Sequence, residues 1–377
     1  MSRTRVLLLL LHAYVAARIL PDLPFGAAGI AAGAFVLLAS AWLIPYGFRL
    51  RRTRPSGRAR LLMWAGLIAL GAFSSLVVLT IMRDAALLAL TAAALIGHVD
   101  VRMASVVSAS AVAVPVLTAL LTLVGYVNAR RVARVRDVDV PIAALPAALH
   151  GFTIAQITDV HVGPTIDRDH VAAVVDAVNA LDADIVAITG DLVDGSVGEL
   201  AHHTAPLARI AARHGVYFVT GNHEYYSGVE PWIGELRRLG VRVLLNEHVV
   251  IDHGGADVVV AGVTDVTAHH FVPAHRSDPR KAIAGAPAKA LKVLLAHQPR
   301  SAPAASRAGF DLQLSGHTHG GQFLPWNFFV RFQQPFTAGL ARLGRLWVYT
   351  SRGTGYWGPP KRLGAPSEIT RVRLVAA

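Results

Sequence analysis

Asp159 and His161 stand two apart in the run TDVHVG, and His317 and His319 two apart in SGHTHGGQ. Between them come Asp191 in GDLVDG, Asn222 and His223 in GNHE, and His297 in AHQP. Carboxylate, imidazole and amide oxygens are donors for hard-to-borderline divalent metals. The chain has no cysteine, which excludes thiolate ligands, disulfides and cysteine nucleophiles. Alternate residues of an extended segment face one side, so Asp-x-His and His-x-His can each deliver two side chains to one site. Glycines before Asp191, Asn222 and His317 let the backbone turn tightly and bring short side chains up to an ion.

Each of these signals follows an apolar run that reads as a strand, at 152–158, 185–189, 217–220, 291–296 and 312–315. In open α/β sheets ligands bind outside the carboxyl ends of strands, so polar residues at five such ends converge. Further strand patterns lie at 242–245, 258–263, 346–350 and 368–374, and helical patterns at 168–181, 199–212 and 230–239. Strands alternating with helices point to a layered α/β domain.

The five blocks, in order, resemble the calcineurin-like metallophosphoesterase superfamily. The closing SRGTGYWGPPKRLGAPSEITRVRL resembles the tail of its bacterial membrane-linked branch. The resemblance covers roughly residues 137–377. It implies a four-layer α/β/β/α sandwich and a two-metal centre. Asp159, His161 and His319 would hold the first ion, Asn222, His297 and His317 the second, and Asp191 would bridge them. His223 would face the substrate phosphate and help the leaving oxygen depart, with Asp194 bonded to it. The physics of such a centre agrees with these roles. Two cations ~3.5–4 Å apart repel, so an anionic bridge is required, and a water between them loses a proton near neutral pH and can attack phosphorus. A histidine held by a carboxylate stays oriented and more readily protonated. Nitrogen and oxygen donors do not choose among Mn, Fe and Zn. The reaction implied is hydrolysis of a phosphate monoester, diester or pyrophosphate, with lipid-linked phosphates among the substrates a membrane tether favours.

The tether itself is read from composition. The 377 residues are 53 % hydrophobic and 16 % charged, with a mean hydropathy of +0.46. Apolar stretches at 6–20, 27–44, 61–82 and 104–127 predict four spans within a transmembrane region 1–136, followed by a catalytic region 137–377. A shorter apolar run at 85–97 fits an interfacial or re-entrant helix. Fifteen Arg against three Asp fall in residues 1–136, which is the whole of the net charge of +12, while residues 137–377 balance. A nucleic-acid-binding face should appear on the soluble region, and no such excess lies there, so nucleic acid is not an expected partner. The excess instead marks topology. Arg3 and Arg5 precede the first span, Arg49, Arg51, Arg52, Arg54, Arg58 and Arg60 lie between the second and third, and Arg130, Arg131, Arg134 and Arg136 follow the fourth. The other two loops carry Asp22, and Arg83, Asp84, Asp100 and Arg102. Four crossings put all twelve arginines on one side, which predicts a cytoplasmic catalytic region in the cell membrane.

Five of the seventeen histidines fall in the motif blocks. His202, His203, His253, His269, His270 and His275 lack such context and read as surface or structural, although His269 and His270 sit in a loop that can line a cleft. Asp194 has a second reading as a turn cap. The aromatic cluster at 326–332 reads as core or as an apolar wall for a lipid-like substrate. The rival functional reading is a membrane receptor or transport component with a regulatory phosphoesterase-like domain. The complete ligand set argues against it, as does the scarcity of charged residues inside the spans.

Overall fold

The computed structural model describes residues 3–51, 56–97 and 102–377. Arg52, Arg54 and Asp100 of the expected loops lie outside the described residues. The chain forms two compact units. One runs to Val127 and also takes in Gly358–Leu363; the other comprises Asn128–Trp357 and Gly364–Ala377.

The first unit is built from α1 (Arg3–Ile19), α2 (Gly26–Leu50), α3 (Gly57–Leu95) and the bulk of α4 (Met103–Arg130). Among the described residues these four helices are long and apolar enough to cross a membrane. The run at 85–97 is not a separate helix: α3 continues through it to Leu95, 39 residues in all. Ala and Leu dominate 85–95 and no proline interrupts them, so the helical hydrogen-bond ladder has no reason to break. At ~1.5 Å per residue α3 is about 58 Å long, roughly twice the ~30 Å hydrocarbon core.

Arg83, buried within α3, donates to Ser110 Oγ at 2.9 Å, to the Arg18 carbonyl at 2.8 Å and to the Val107 carbonyl at 3.0 Å, and it pairs with Asp22 at 2.5 Å. Its neighbour Asp84 accepts from Tyr14 and Arg18, both at 2.8 Å. These bonds hold the end of α1, the middle of α3 and the first turns of α4 together. They also satisfy charges that burial would otherwise penalise.

The second unit carries two six-stranded mixed sheets. The first has the order β1-β12-β2-β3-β4-β5 and the second β10-β11-β9-β8-β7-β6. The strands are β1 (Arg134–Ile142), β2 (Thr153–Ile157), β3 (Ile185–Ile188), β4 (Val216–Phe218), β5 (Arg242–Val243), β6 (Glu247–His253), β7 (Ala256–Gly262), β8 (Leu291–Leu295), β9 (Leu312–Ser315), β10 (Gly339–Leu343), β11 (Leu346–Thr350) and β12 (Glu368–Ala376). Between them lie α5 (Arg168–Asn179), α6 (Val197–Thr204), α7 (Asn222–Ser227), α8 (Val229–Arg238), α9 (Pro279–Ile283), α10 (Ala302–Ala308) and α11 (Trp326–Phe329).

Three apolar layers give the four-layer α/β/β/α arrangement that the sequence implies. Ile154, Ile185, Val260, Val293 and Leu314 fill the space between the sheets. Val174, Val178, Trp232 and Leu236 of α5 and α8 cover the outer face of the first sheet. Ala282, Ala302 and Ala305 of α9 and α10 cover the second. Full burial of each Val, Leu or Ile side chain contributes about 1.5–3 kcal/mol, so the sheets are held rigidly behind their loops.

Arg134 and Arg136, read above as loop charges, lie on the edge strand β1. From Asp137 onward the alternation Asp-Val-Asp-Val is the period-2 pattern of a half-exposed strand, while Arg134 to Arg136 are exposed throughout. Asp137 and Asp139 of β1 pair with Arg371 at 2.6 Å and Arg373 at 2.8 Å on the neighbouring β12.

Candidate metal centre

The strands that precede the motif residues run parallel within each sheet, β2 with β3 and β4 in the first and β8 with β9 in the second. Their carboxyl ends therefore open on one side, and the segments leaving them, Asn222 and His223 in the first turn of α7 included, carry all nine candidate residues. Tight exits force unusual backbone. Asp159, His161, Asp191, His317 and His319 adopt positive φ, between 50° and 70°. Non-glycine residues seldom do so, and each instance costs roughly 1–3 kcal/mol that the surrounding fold must offset. Two glycines are needed for close approach rather than for φ. A Cβ on Gly221 would overlap Asp191 Oδ1, and one on Gly316 would overlap Asp159 Oδ2.

Two trios of donors result, and each combines residues of both sheets. In the first, His161 Nε2 is 3.0 Å from His319 Nε2, which is 3.5 Å from Asp159 Oδ1. In the second, His297 Nε2 is 3.1 Å from Asp191 Oδ2 and 3.1 Å from His317 Nδ1. Asp191, a member of the second trio, also lies with His161 of the first and with His223 in a group whose donor atoms are all within 4.8 Å of one another. Asn222 stands between Gly221 and His223, and the His223 N–H donates to Asp191 Oδ1 at 2.9 Å.

The outer atoms of the rings decide which nitrogens face inward. His297 Nδ1 is 2.8 Å from the Thr189 carbonyl, which only accepts, so Nδ1 carries a proton and Nε2 is the nitrogen turned to the site. His161 Nδ1 donates to Asp194 Oδ1 at 3.1 Å and presents Nε2 likewise. The same Asp194 oxygen takes His223 Nδ1 at 2.5 Å. Asp194 thus touches both His223 and His161.

Charge is concentrated in this buried space. Burial pushes the Asp191 carboxyl up, but the imidazoles of His297, His223 and His161 outweigh it and hold Asp191 well below the usual carboxylate range. Burial pulls His223 down, while the charge of Asp191 and the bond to Asp194 lift it to about 9. Burial, then the neighbouring His297, drives His317 down to about 3, leaving it neutral.

The residues fit a divalent centre. The donors are imidazoles and carboxylates, of the right types. The Asn222 Oδ1 atom is buried with no hydrogen-bond partner, an orphan of the kind that an ion ligand explains.

One residue of the site escaped the sequence reading. Glu224, fully buried, accepts the backbone N–H groups of Asp191 at 3.0 Å, Leu192 at 2.8 Å and Gly221 at 2.6 Å. Its spacing was the available signal, since a Glu at the third position of a helix reaches back to the residue before it. Elsewhere, His203 Nδ1 accepts from the Arg168 N–H, His202 offers its carbonyl to Arg168, His253 meets His214 at 3.0 Å, His275 meets the Tyr225 hydroxyl at 3.0 Å, and the rings of His269 and His270 lie tilted at 40° with centroids 4.0 Å apart.

Residues 152–321 match the sequence profile of the calcineurin-like phosphoesterases. The chain is similar to the "Transmembrane protein with metallophosphoesterase domain" of Bos taurus, with 41 % identity over 273 residues covering 69 % of this chain and 61 % of that protein. The protein of the same description from Danio rerio is 38 % identical over 270 residues, covering 70 % and 62 %. An uncharacterized metallophosphoesterase of Campylobacter jejuni is 34 % identical over 264 residues, covering 69 % and 68 %. The chain spans about three-fifths of the length of the two vertebrate relatives.

Proposed function

The chain belongs to the calcineurin-like metallophosphoesterase family, and from that premise we propose that it is a membrane-anchored hydrolase of phosphate monoesters, diesters or pyrophosphates. One observation carries the reading: two donor trios, each drawn from both sheets, adjoin at the buried carboxylate of Asp191, which belongs to the second trio and also groups with His161 of the first. Asp159, His161 and His319 would hold one divalent cation, Asn222, His297 and His317 a second, and Asp191 both. Such a pair supplies an activated water and neutralises charge on the phosphoryl oxygens. Mn, Fe and Zn all suit the donors.

The remaining residues position and move protons. Asp194 anchors Nδ1 of His223, which turns Nε2 toward the site, 3.9 Å from Asp191 Oδ2. Lifted to about 9, this ring carries both protons at neutral pH. It is therefore able to give the Nε2 proton to the leaving oxygen as the P–O bond breaks. Asp159 is held by the His317 N–H at 2.9 Å and the Thr158 hydroxyl at 2.8 Å, so its carboxylate cannot swing away.

The four long apolar helices support a multi-pass anchor in the cell membrane. The arginines flanking them favour a cytoplasmic catalytic unit. Substrates bearing lipid are then within reach, alongside soluble phosphate esters.

The test is turnover by the purified full chain, loaded in turn with Mn, Fe and Zn, on phosphate monoesters, diesters and pyrophosphates with and without lipid. Metal-dependent hydrolysis that disappears in Asp191→Ala is expected. No hydrolysis of any substrate with any metal rejects the reading.

A further inference from the structure

His223 is bordered by aromatic rings that remain open to solvent. The Tyr226 ring centroid is 5.2 Å from the His223 ring and that of Trp357 is 5.7 Å. Phe271 adds a third ring, 5.5 Å from Tyr226. These side chains are 61 %, 41 % and 49 % exposed for Tyr226, Trp357 and Phe271. They come from three separate places: α7, the loop before β12 and the loop after β7. Contiguous exposed apolar surface is the kind of surface that binding sites use.

The rings are held in place. Trp357 and Gln322 bond reciprocally, the Trp357 N–H to Gln322 Oε1 at 2.9 Å and Gln322 Nε2 to the Trp357 carbonyl at 3.0 Å. Gln322 follows the candidate ligand His319 by three residues and leads into the exposed aromatic segment 326–332. Phe271 leans on Tyr225, 5.9 Å away, whose hydroxyl is fixed by His275.

We propose that Tyr226, Phe271 and Trp357 form a leaving-group subsite that receives an alkyl chain of a lipid phosphoester. The proposal rests on the phosphoesterase reading above and on the place of these rings, which border the donor trios beside His223. Hydrolysis breaks the P–O bond to the lipid alcohol. Water supplies the new oxygen on phosphorus and, in net, the proton that completes the alcohol. The inclination of the rings selects the ligand. Tyr226 makes 65° with both His223 and Phe271, and Trp357 makes 73° with His223. None of these pairs is the parallel slot that grips a flat base. An angled apolar corner accommodates a flexible chain, and the same polypeptide carries four helices suited to the bilayer where such chains reside.

The experiment uses the full chain in detergent with Mn²⁺ and compares methyl, butyl and octyl leaving groups, offered as phosphate monoesters and as methyl diesters. Bis(p-nitrophenyl) phosphate and a thymidine phosphoester are run alongside. Each fully buried methylene strengthens binding up to about fourfold, so kcat/KM for octyl over methyl is expected to exceed about tenfold. Tyr226→Ala and Trp357→Ala should reduce that ratio to within about threefold. Phe271→Ala, whose ring packs on Tyr226 rather than on His223, should reduce it too, and it carries the test if the other two variants misfold. A flat ratio in the wild type, a ratio unchanged in all the variants, or a preference for the thymidine ester over the octyl esters overturns the subsite while leaving the phosphoesterase reading intact. Absence of turnover on every ester, bis(p-nitrophenyl) phosphate included, overturns both.

Discussion

Oε2 of Glu224 accepts the backbone N–H of Asp191 at 3.0 Å. The carboxylate of one buried residue thereby fixes the backbone on which the central carboxylate of the site is mounted, at a position where φ is +50°. Replacing that carboxylate by an amide turns a group that only accepts into one that also donates, against N–H groups that can only donate. Each buried N–H left unpaired costs about 1–3 kcal/mol. Glu224→Gln should therefore lower thermal stability, metal content and turnover together, with turnover down at least about tenfold, the scale of effects seen when supports of metal ligands are removed. Wild-type kcat with two metal equivalents would show that Asp191 does not depend on this support.

A single methyl group should disable the first trio. Gly316→Ala places a Cβ onto Asp159 Oδ2 and Thr158 Oγ1, and the site is too tightly packed to yield. Metal affinity should fall at least about tenfold while the circular dichroism of the domain is retained. Titration of the metal-free variant with Mn²⁺ gives the answer, and unchanged affinity would mean that the loop relaxes.

His223 and Asp191 should fail in different ways. His223→Asn removes a ring that lies beside the donor trios, so two metals should remain by elemental analysis while turnover drops ~10²–10⁴-fold. Asp191→Ala should lose both metal and activity, because Asp191 belongs to the second trio and also groups with His161 of the first. Loss of metal from His223→Asn would move that residue into the ligand set.

The orientation of the chain can be read with fusions at its C-terminus. Because α3 continues through 85–95 without a break, that stretch is an extension of the third helix rather than a fifth independent crossing. Four crossings return the catalytic unit to the side of the flanking arginines. A fluorescent protein that folds only in the cytoplasm should be active there, and alkaline phosphatase, which needs export, should not. The reverse pattern would require an odd number of crossings.

Much of this protein is legible locally. The donors of both trios, their order and their placement after apolar strands follow from short patterns, as do the four apolar spans, because burial and turns leave period and composition in neighbouring residues. Partnerships between distant residues leave no such trace. His161 and His319 are 158 residues apart and meet at 3.0 Å. Asp194 serves two histidines, and Glu224 braces Asp191, only because the loops of three parallel strands exit side by side. The strand β1 was hidden by its own charges, which make sense once Arg371 and Arg373 of β12 lie opposite. The segment Gly358–Leu363, which chain order alone assigns to the catalytic region, belongs to the helical unit. There the Lys361 ammonium reaches the Gly71 carbonyl at 2.9 Å and Ser75 Oγ at 2.6 Å, nearly three hundred residues away. Local sequence specifies which side chains are buried and where the chain turns. Which remote group completes a buried hydrogen bond or ligand set is decided by packing, since the desolvated polar atom is satisfied only by the partner that the fold brings to it.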